Sequence, residues 1–138
     1  MLVRGSCLCG AVGYEARLPF GKFVQCHCSR CRKATGSAFA ANAYVTPEAF
    51  RWTRGESNVV RYDLSAARSF STSFCSTCGS PVPHSTRSGR EMIIPAGSLD
   101  DDPQTKPSTI AHLESRAEWS VPSGELPNSL SPEGRGLG

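Results

Sequence analysis

At 138 residues the chain has the length of a single domain, able to bury roughly 68% of its unfolded surface without relying on disulfides. Hydrophobic residues at 38% and charged residues at 20% exclude wholesale disorder, and no apolar run approaches the ~18 residues of a membrane span. The net charge of +3 is too small to argue for a nucleic-acid partner, but it is unevenly placed: residues 1–70 hold ten Lys/Arg against four Asp/Glu, residues 71–138 five against eight. That asymmetry points to an anionic ligand near the N-terminal half. The opening Met1-Leu2-Val3-Arg4-Gly5 reaches a charge too early for a signal peptide, so the expected compartment is the cytoplasm.

Thirteen Gly and ten Pro, spread throughout, favour many short strands over long helices. In chain order, alternating apolar residues predict strands over 11–18, Ala38–Val45, Asn58–Leu64 and Arg68–Phe74. A short apolar run, Glu91-Met92-Ile93-Ile94, reads as a buried strand. Two short helices are expected: Ser29–Thr35, capped by Ser29 and stopped by Gly36, and Thr46–Phe50, with Thr46 as cap and Pro47 at the first helical position. The Asp- and Pro-rich stretch Leu99–Pro107 reads as a loop. Residues 1–127 are expected to form one domain and residues 128–138 a flexible tail. The fold class is mostly β, with short helices only.

Seven cysteines carry the chemistry. An odd count in a chain read as cytoplasmic argues against a disulfide framework and for metal. The thiols fall into Cys7-Leu8-Cys9, Cys26-His27-Cys28-Ser29-Arg30-Cys31 and Cys75-Ser76-Thr77-Cys78. Zn²⁺ takes four thiolate or imidazole ligands in a tetrahedron, and two Cys separated by two residues reach one ion from a tight turn. Gly10 and Gly79, following Cys9 and Cys78, suit such turns. Seven ligands divide as four, closing a structural site, plus three, leaving a position open for water or substrate. Seven thiolates and two Zn²⁺ would bring the formal charge from +3 to zero. A single zinc ribbon built from Cys28/Cys31 and Cys75/Cys78 is the rival arrangement. Spacing alone leaves the pairing open.

Gly5-Ser6-Cys7-Leu8-Cys9-Gly10-Ala11-Val12-Gly13-Tyr14-Glu15, the run from Cys26 to Phe39, and Phe74-Cys75-Ser76-Thr77-Cys78-Gly79-Ser80-Pro81-Val82 resemble the family of glutathione-dependent formaldehyde-activating enzymes and centromere protein V. The resemblance extends over about residues 5–127. It implies a small zinc-bound fold of several coiled β-sheets, a β-tent. It also implies a pairing: Cys7, Cys9, Cys75 and Cys78 on a structural zinc, and Cys26, Cys28 and Cys31 on a second, open and catalytic zinc. The implied activity is a carbon–sulfur lyase reaction on a small thiol adduct, as in S-hydroxymethylglutathione formed from glutathione and formaldehyde. Its relatives also leave open a second function class, a non-catalytic zinc module that binds a partner.

Arg30, Arg32 and Lys33 flank the second cysteine group and are candidates to receive the carboxylates of a peptide-like thiol, against the plainer reading of a solvated helix face. His27 alternates with two ligand cysteines and is expected to point away from them. His84 and His112 have no sequence partner and read as structural. Asp100, Asp101 and Asp102 precede Pro103 and read as a turn, and Trp119 reads as core. The expected partner is a small-molecule thiol or its adduct. Nothing in the sequence bears on the oligomeric state.

Overall fold

A computed structural model describes residues 1–128. The tail expected from residue 128 falls, from 129 onward, outside the described residues. Eleven short strands, one α-helix and five single 3₁₀ turns are described. The strands are β1 (Leu2–Ser6), β2 (Gly13–Arg17), β3 (Lys22–Cys26), β4 (Ala40–Val45), β5 (Phe50–Arg54), β6 (Val59–Asp63), β7 (Ser71–Cys75), β8 (Pro81–Val82), β9 (His84–Ser85), β10 (Met92–Pro95) and β11 (Thr109–Ala111). Helix α1 covers Ser29–Thr35.

The strands form three sheets, with orders β1-β2-β5, β11-β3-β4-β10-β9 and β6-β7-β8. All pairings are antiparallel except β11 against β3, which register Ala111 beside Cys26. The expected strands over 11–18, Ala38–Val45 and Asn58–Leu64 are present with trimmed ends. The strand expected over Arg68–Phe74 begins at Ser71 instead, because residues 64–70 form a loop closed by Leu64 N–H donating to Phe70 O at 3.1 Å.

Alternation along the five-stranded sheet gives it two distinct faces. Phe23, Ala43, Val45, Met92 and Ile94 point toward the first sheet and meet Val3, Tyr14 and Ala16 in the main core. The residues between them, among them Val24, Asn42, Tyr44 and Ile93, line a cavity on the opposite face. A second, smaller core joins Cys7, Val12, Cys75 and Val82.

Tyr14 anchors the main core. Its ring stacks on Phe50 at 5.5 Å and meets the edge of Trp52 at 6.3 Å, while its hydroxyl bonds Ser98 Oγ at 2.6 Å. Gly5 sits directly opposite Tyr14 in the β1–β2 register, and a Cβ there would strike the Tyr14 ring.

Two helical expectations need correction at their ends. The cap of α1 is Cys28 rather than Ser29, and its Sγ accepts from Cys31 N–H at 3.3 Å. The Thr46–Phe50 segment is a single 3₁₀ turn over Pro47–Ala49, and Thr46 makes no side-chain cap bond. The Leu99–Pro107 loop is tied to β1. Arg4 N–H and Nε donate to Asp101 Oδ2 at 2.8 and 3.0 Å, and Ser6 Oγ donates to Asp100 at 2.8 Å. Trp119 is 67% exposed and so lies outside the core, contrary to its reading from sequence. The other tryptophan, Trp52, packs against both cores.

Replacing Gly5→Ala should destabilise the fold by about 1–3 kcal/mol, because the Tyr14 ring cannot be displaced without disturbing its aromatic neighbours. Tyr14→Phe should cost about 1 kcal/mol, since Ser98 Oγ keeps its bond to Pro95 O at 2.7 Å. Thermal or denaturant unfolding of the two variants beside the parent checks the order.

Candidate functional site

The seven thiols gather in two groups. Cys7, Cys9, Cys75 and Cys78 bring their Sγ atoms within 4.8 Å of one another, and so do Cys26, Cys28 and Cys31. All seven are free thiols. The pairing that mixes Cys28/Cys31 with Cys75/Cys78 has no geometric counterpart among the described residues.

The first group is built by two matching turns. After β1, Gly10 N–H donates to Cys7 O at 3.1 Å with Gly10 at φ 83°. After β7, Gly79 N–H donates to Cys75 O at 2.7 Å with Gly79 at φ 76°. Each turn needs left-handed backbone at that position, which glycine adopts at no steric cost. The turns are also tied to each other, because Leu8 N–H donates to Ser80 Oγ at 3.0 Å.

Donors then converge on the sulfurs. Val12 N–H reaches Cys7 Sγ at 3.2 Å, Asn58 Nδ2 reaches Cys75 Sγ at 3.3 Å, and the Ser80 hydroxyl lies 3.3 Å from Cys78 Sγ. Hydrogen bonds from the Ser80 hydroxyl and amide pull the Cys78 thiol down to about 5, so that it is a thiolate at neutral pH.

The donor set fits a tetrahedral ion. With metal–sulfur bonds of about 2.3 Å, the sulfurs of a tetrahedral site stand about 3.8 Å apart. Here Cys7 and Cys9 Sγ are separated by 3.7 Å, and Cys9 and Cys75 Sγ by 3.8 Å. A disulfide would need about 2.05 Å.

The second group stands where β3 ends and α1 begins. Cys26 closes β3, Cys28 caps the helix and Cys31 lies one turn in, buried. Burial raises the Cys31 and Cys26 thiols. Burial also presses on Cys28, but hydrogen bonding to its sulfur from the Cys31 amide and the neighbouring thiols outweighs it and lowers that thiol. Three soft donors within 4.8 Å match a metal that keeps an open coordination position.

This group opens onto a cavity of about 1020 Å³ between the outer face of the five-stranded sheet and β7–β8. Among the described residues, three arginines, Arg30, Arg68 and Arg87, line the cavity, and no Asp or Glu does. Of the three basic residues singled out from sequence, Arg30 is at the cavity wall while Arg32 and Lys33 are not. Arg32 turns to the backbone instead, with Nε donating to His27 O at 3.3 Å and Nη2 to Ser115 O at 3.4 Å.

His27 belongs to neither thiol group. It is 6% exposed, packs on Phe39 with ring centroids 5.1 Å apart, and its Nδ1 has no partner among the described residues. His84 and His112, read from sequence as structural, both line the cavity. His112 adopts φ 56° and faces Glu114 at 3.6 Å, while burial and then Arg61 push His84 down to about 4 and keep it neutral. Sequence reasoning missed Arg68, Ser73 and Tyr44 as cavity residues. Their exposure to it follows from sheet register, which composition does not reveal.

A small mostly-β protein with two cysteine groups able to hold metal, one of them at a cavity, is the class that fold and site define. The family model described as glutathione-dependent formaldehyde-activating enzyme matches residues 2–115, and the chain belongs to that family. A protein of Halomonas elongata, provisionally named a glutathione-dependent formaldehyde-activating enzyme, is 30% identical over 125 residues, covering 86% of this chain and 80% of that protein. A crystal structure of a Rhodobacter sphaeroides protein, solved as a structural genomics target, superposes with a TM-score of 0.59 at 31% identity, covering 78% of this chain and 99% of that one. No helix among the described residues is long and apolar enough to cross a membrane.

Asn58 is the supporting residue whose loss should be most specific. Its Nδ2 serves both Cys75 Sγ and Thr77 Oγ1, the latter at 2.9 Å, and its Oδ1 accepts from Ser76 at 2.9 Å. Asn58→Ala should weaken metal retention by the four-thiol group 10- to 100-fold, on the order seen for outer-shell partners of metal ligands. Chelator competition on parent and variant measures it, with the three-thiol group expected to release metal unchanged.

Proposed function

We propose that the chain is a zinc-dependent carbon–sulfur lyase-type enzyme that makes and breaks the bond between a small thiol and a formaldehyde-like carbonyl. The observation that carries this reading is that the three-thiol group opens onto a cavity lined by arginines and, among the described residues, free of carboxylates. Residues 1–127 form the working domain. Cys7, Cys9, Cys75 and Cys78 hold a structural zinc, and Cys26, Cys28 and Cys31 hold a second one. That second ion, when bound, would keep a thiol deprotonated or polarise a carbonyl oxygen. We place the protein in the cytoplasm, where reducing conditions keep seven thiols available to metal.

In the joining direction the thiol gives up its proton, its sulfur bonds to the carbonyl carbon, and the carbonyl oxygen takes a proton as its double bond opens. Cleavage runs the same steps backward. The residues of this chain contribute orientation and charge. Arg30, on the first turn of α1, lines the cavity together with Cys28 and Cys31 and would attract an anionic thiol. The apolar wall of Val24, Ile93 and Pro95 excludes water from one side of the thiol and favours a fixed pose.

The two centres should differ in their effect on folding. Zinc-loaded protein is expected to carry two ions per chain by elemental analysis. One ion after loading under reducing conditions would count against a second centre. Binding at a structural zinc is worth roughly 10–16 kcal/mol of apparent free energy in zinc-finger peptides. Cys78→Ser should therefore yield an unfolded or aggregated chain, whereas Cys31→Ser should fold with a melting temperature near the parent's. Equal collapse of both variants would defeat the division of roles.

Activity needs a measurement that tolerates the uncatalysed reaction, because formaldehyde and thiols combine unaided. The exchange rate between free thiol and hemithioacetal at equilibrium, read by NMR with and without protein, provides it. Acceleration that disappears in Cys31→Ser supports the enzyme. Absence of acceleration with glutathione, cysteine and other small thiols, in protein holding both zincs, would favour a non-catalytic binding module.

A further inference from the structure

The chain returns to the thiol triad through β11. Ala111 lies in register beside Cys26, and both line the cavity. His112 comes next, and it lines the same groove as Cys26, Cys28 and Cys31. Three hydrogen bonds fasten this crossing. His27 N–H donates to Ala111 O at 2.9 Å, and Arg32 holds both sides, with Nε on His27 O at 3.3 Å and Nη2 on Ser115 O at 3.4 Å. Register partners stand about 4.8 Å apart and the next residue adds about 3.8 Å, so the Cα atoms of Cys26 and His112 are no more than about 9 Å apart. A cysteine and a histidine side chain span that gap with one ion between them, at bonds of about 2.3 Å to sulfur and 2.0 Å to nitrogen.

The backbone and the ring of His112 both carry information. At φ 56° and ψ 40° the residue is left-handed, turning the chain out of β11 into the 3₁₀ turn Leu113–Ser115. Glycine would make that turn without steric cost, so the turn itself does not account for an imidazole here. The ring stands outside the 4.8 Å group formed by the three sulfurs, and its Nδ1 faces Glu114 Oε1 at 3.6 Å. Both side chains are mostly exposed, 59% and 77%, so a rotation that carries the imidazole to the sulfurs meets little packing. A carboxylate on one ring nitrogen is the usual companion of a metal-bound histidine, because it fixes the tautomer and leaves the other nitrogen as donor. Three thiolates and one imidazole are an established donor set for a tetrahedral ion. The imidazole also adds no charge to a centre whose three thiolates already leave a divalent ion at −1.

We propose that His112, through Nε2 and with Glu114 on Nδ1, is the fourth ligand of the metal held by Cys26, Cys28 and Cys31 in thiol-free protein. The proposal rests on the reading of the triad as a metal centre and adds one residue to it. An exposed histidine on a rotatable side chain is a ligand that an incoming thiol can replace, so the fourth position stays exchangeable.

Full-length protein loaded with ¹¹³Cd²⁺, a divalent ion that accepts the same ligands, tests the bond directly in thiol-free buffer. Coupling to the ion should split one imidazole ¹⁵N signal of His112, assigned by its absence from His112→Asn. Asparagine tolerates left-handed backbone and so keeps the turn while removing the imidazole. His112→Gly, which adopts the same φ without strain, is the second variant should the first misfold. In zinc-loaded protein either variant should lose the triad metal to a chelator at least tenfold more readily, the least that loss of an outer-shell partner costs, with the four-thiol group unchanged. An unsplit signal together with unchanged retention overturns the assignment of His112 and leaves the metal centre standing. Weaker retention with an unsplit signal in the parent makes His112 a positioning residue and equally overturns it as a ligand. A parent triad that takes up no metal overturns both this assignment and the centre on which it rests.

Discussion

The junction of Cys7 and Cys9 with Cys75 and Cys78 is the constraint on which the rest of the molecule depends. It joins the turn after the first strand to the turn after the seventh, and it does so where hydrophobic packing is thin. Among the described residues the smaller core around it buries Val12 and Val82 besides the cysteines themselves, with Trp52 and Val59 partly buried against it. Such a core cannot fix two glycine turns by area burial alone. The hydrogen bonds that converge on the sulfurs, from Val12, Asn58 and Ser80, are arranged for negatively charged sulfur. Deprotonated sulfurs this close would repel one another without a cation, so a metal at this place would offset that repulsion.

Once β7 is fixed at that junction, the groove follows. β7 carries Ser71, Ser73 and Cys75 on its buried face, so the strand that ends in one of the four clustered thiols also supplies the far wall of the cavity. The near wall is the outer face of the five-stranded sheet, whose inner face is the main core. α1 closes one end because β3 runs directly into it, and the parallel strand β11 holds that end from the side through His27 N–H donating to Ala111 O at 2.9 Å. The thiol triad and the cavity are thus positioned by the two cores from opposite sides.

Much of this was legible in the sequence because it is local. The Ser29–Thr35 helix follows from its stop at Gly36, and β4 and β6 follow from period-two alternation. The two thiol groups, with Cys7/Cys9 joined to Cys75/Cys78, were implied by family resemblance and could not be derived from spacing. Long-range register is what stayed hidden. β11 is three residues, Thr109-Ile110-Ala111, with no pattern of its own, and it exists because β3 offers it an open edge. β5 reads poorly as a strand because Arg51, on the opposite face, separates Phe50 from Trp52 and Arg54 follows them, and Tyr14 explains why the two aromatics are there. The same limit hid His84, whose place at the groove depends on β9 pairing with β10 over two residues.

The arginines show how backbone placement separates residues that composition treats alike. Arg32 and Arg87 bond to main-chain carbonyls and hold α1 and the 64–70 loop in place. Arg30 and Arg68 line the same cavity, and their guanidinium groups make no hydrogen bond or ion pair among the described residues. This division bears on the chemistry proposed for the triad. A divalent ion on three thiolates carries a formal charge of −1, and an anionic thiol brought to it adds more of the same sign. In a partly desolvated groove that repulsion is larger than in water. Cations that were already paired within the protein would do little to offset it, because their field is largely cancelled by their partners. Arginines unpaired among the described residues, in a wall to which those residues bring no carboxylate, would let an anionic ligand approach an anionic centre, so the lack of Asp and Glu in that lining would matter as much as the presence of the cysteines.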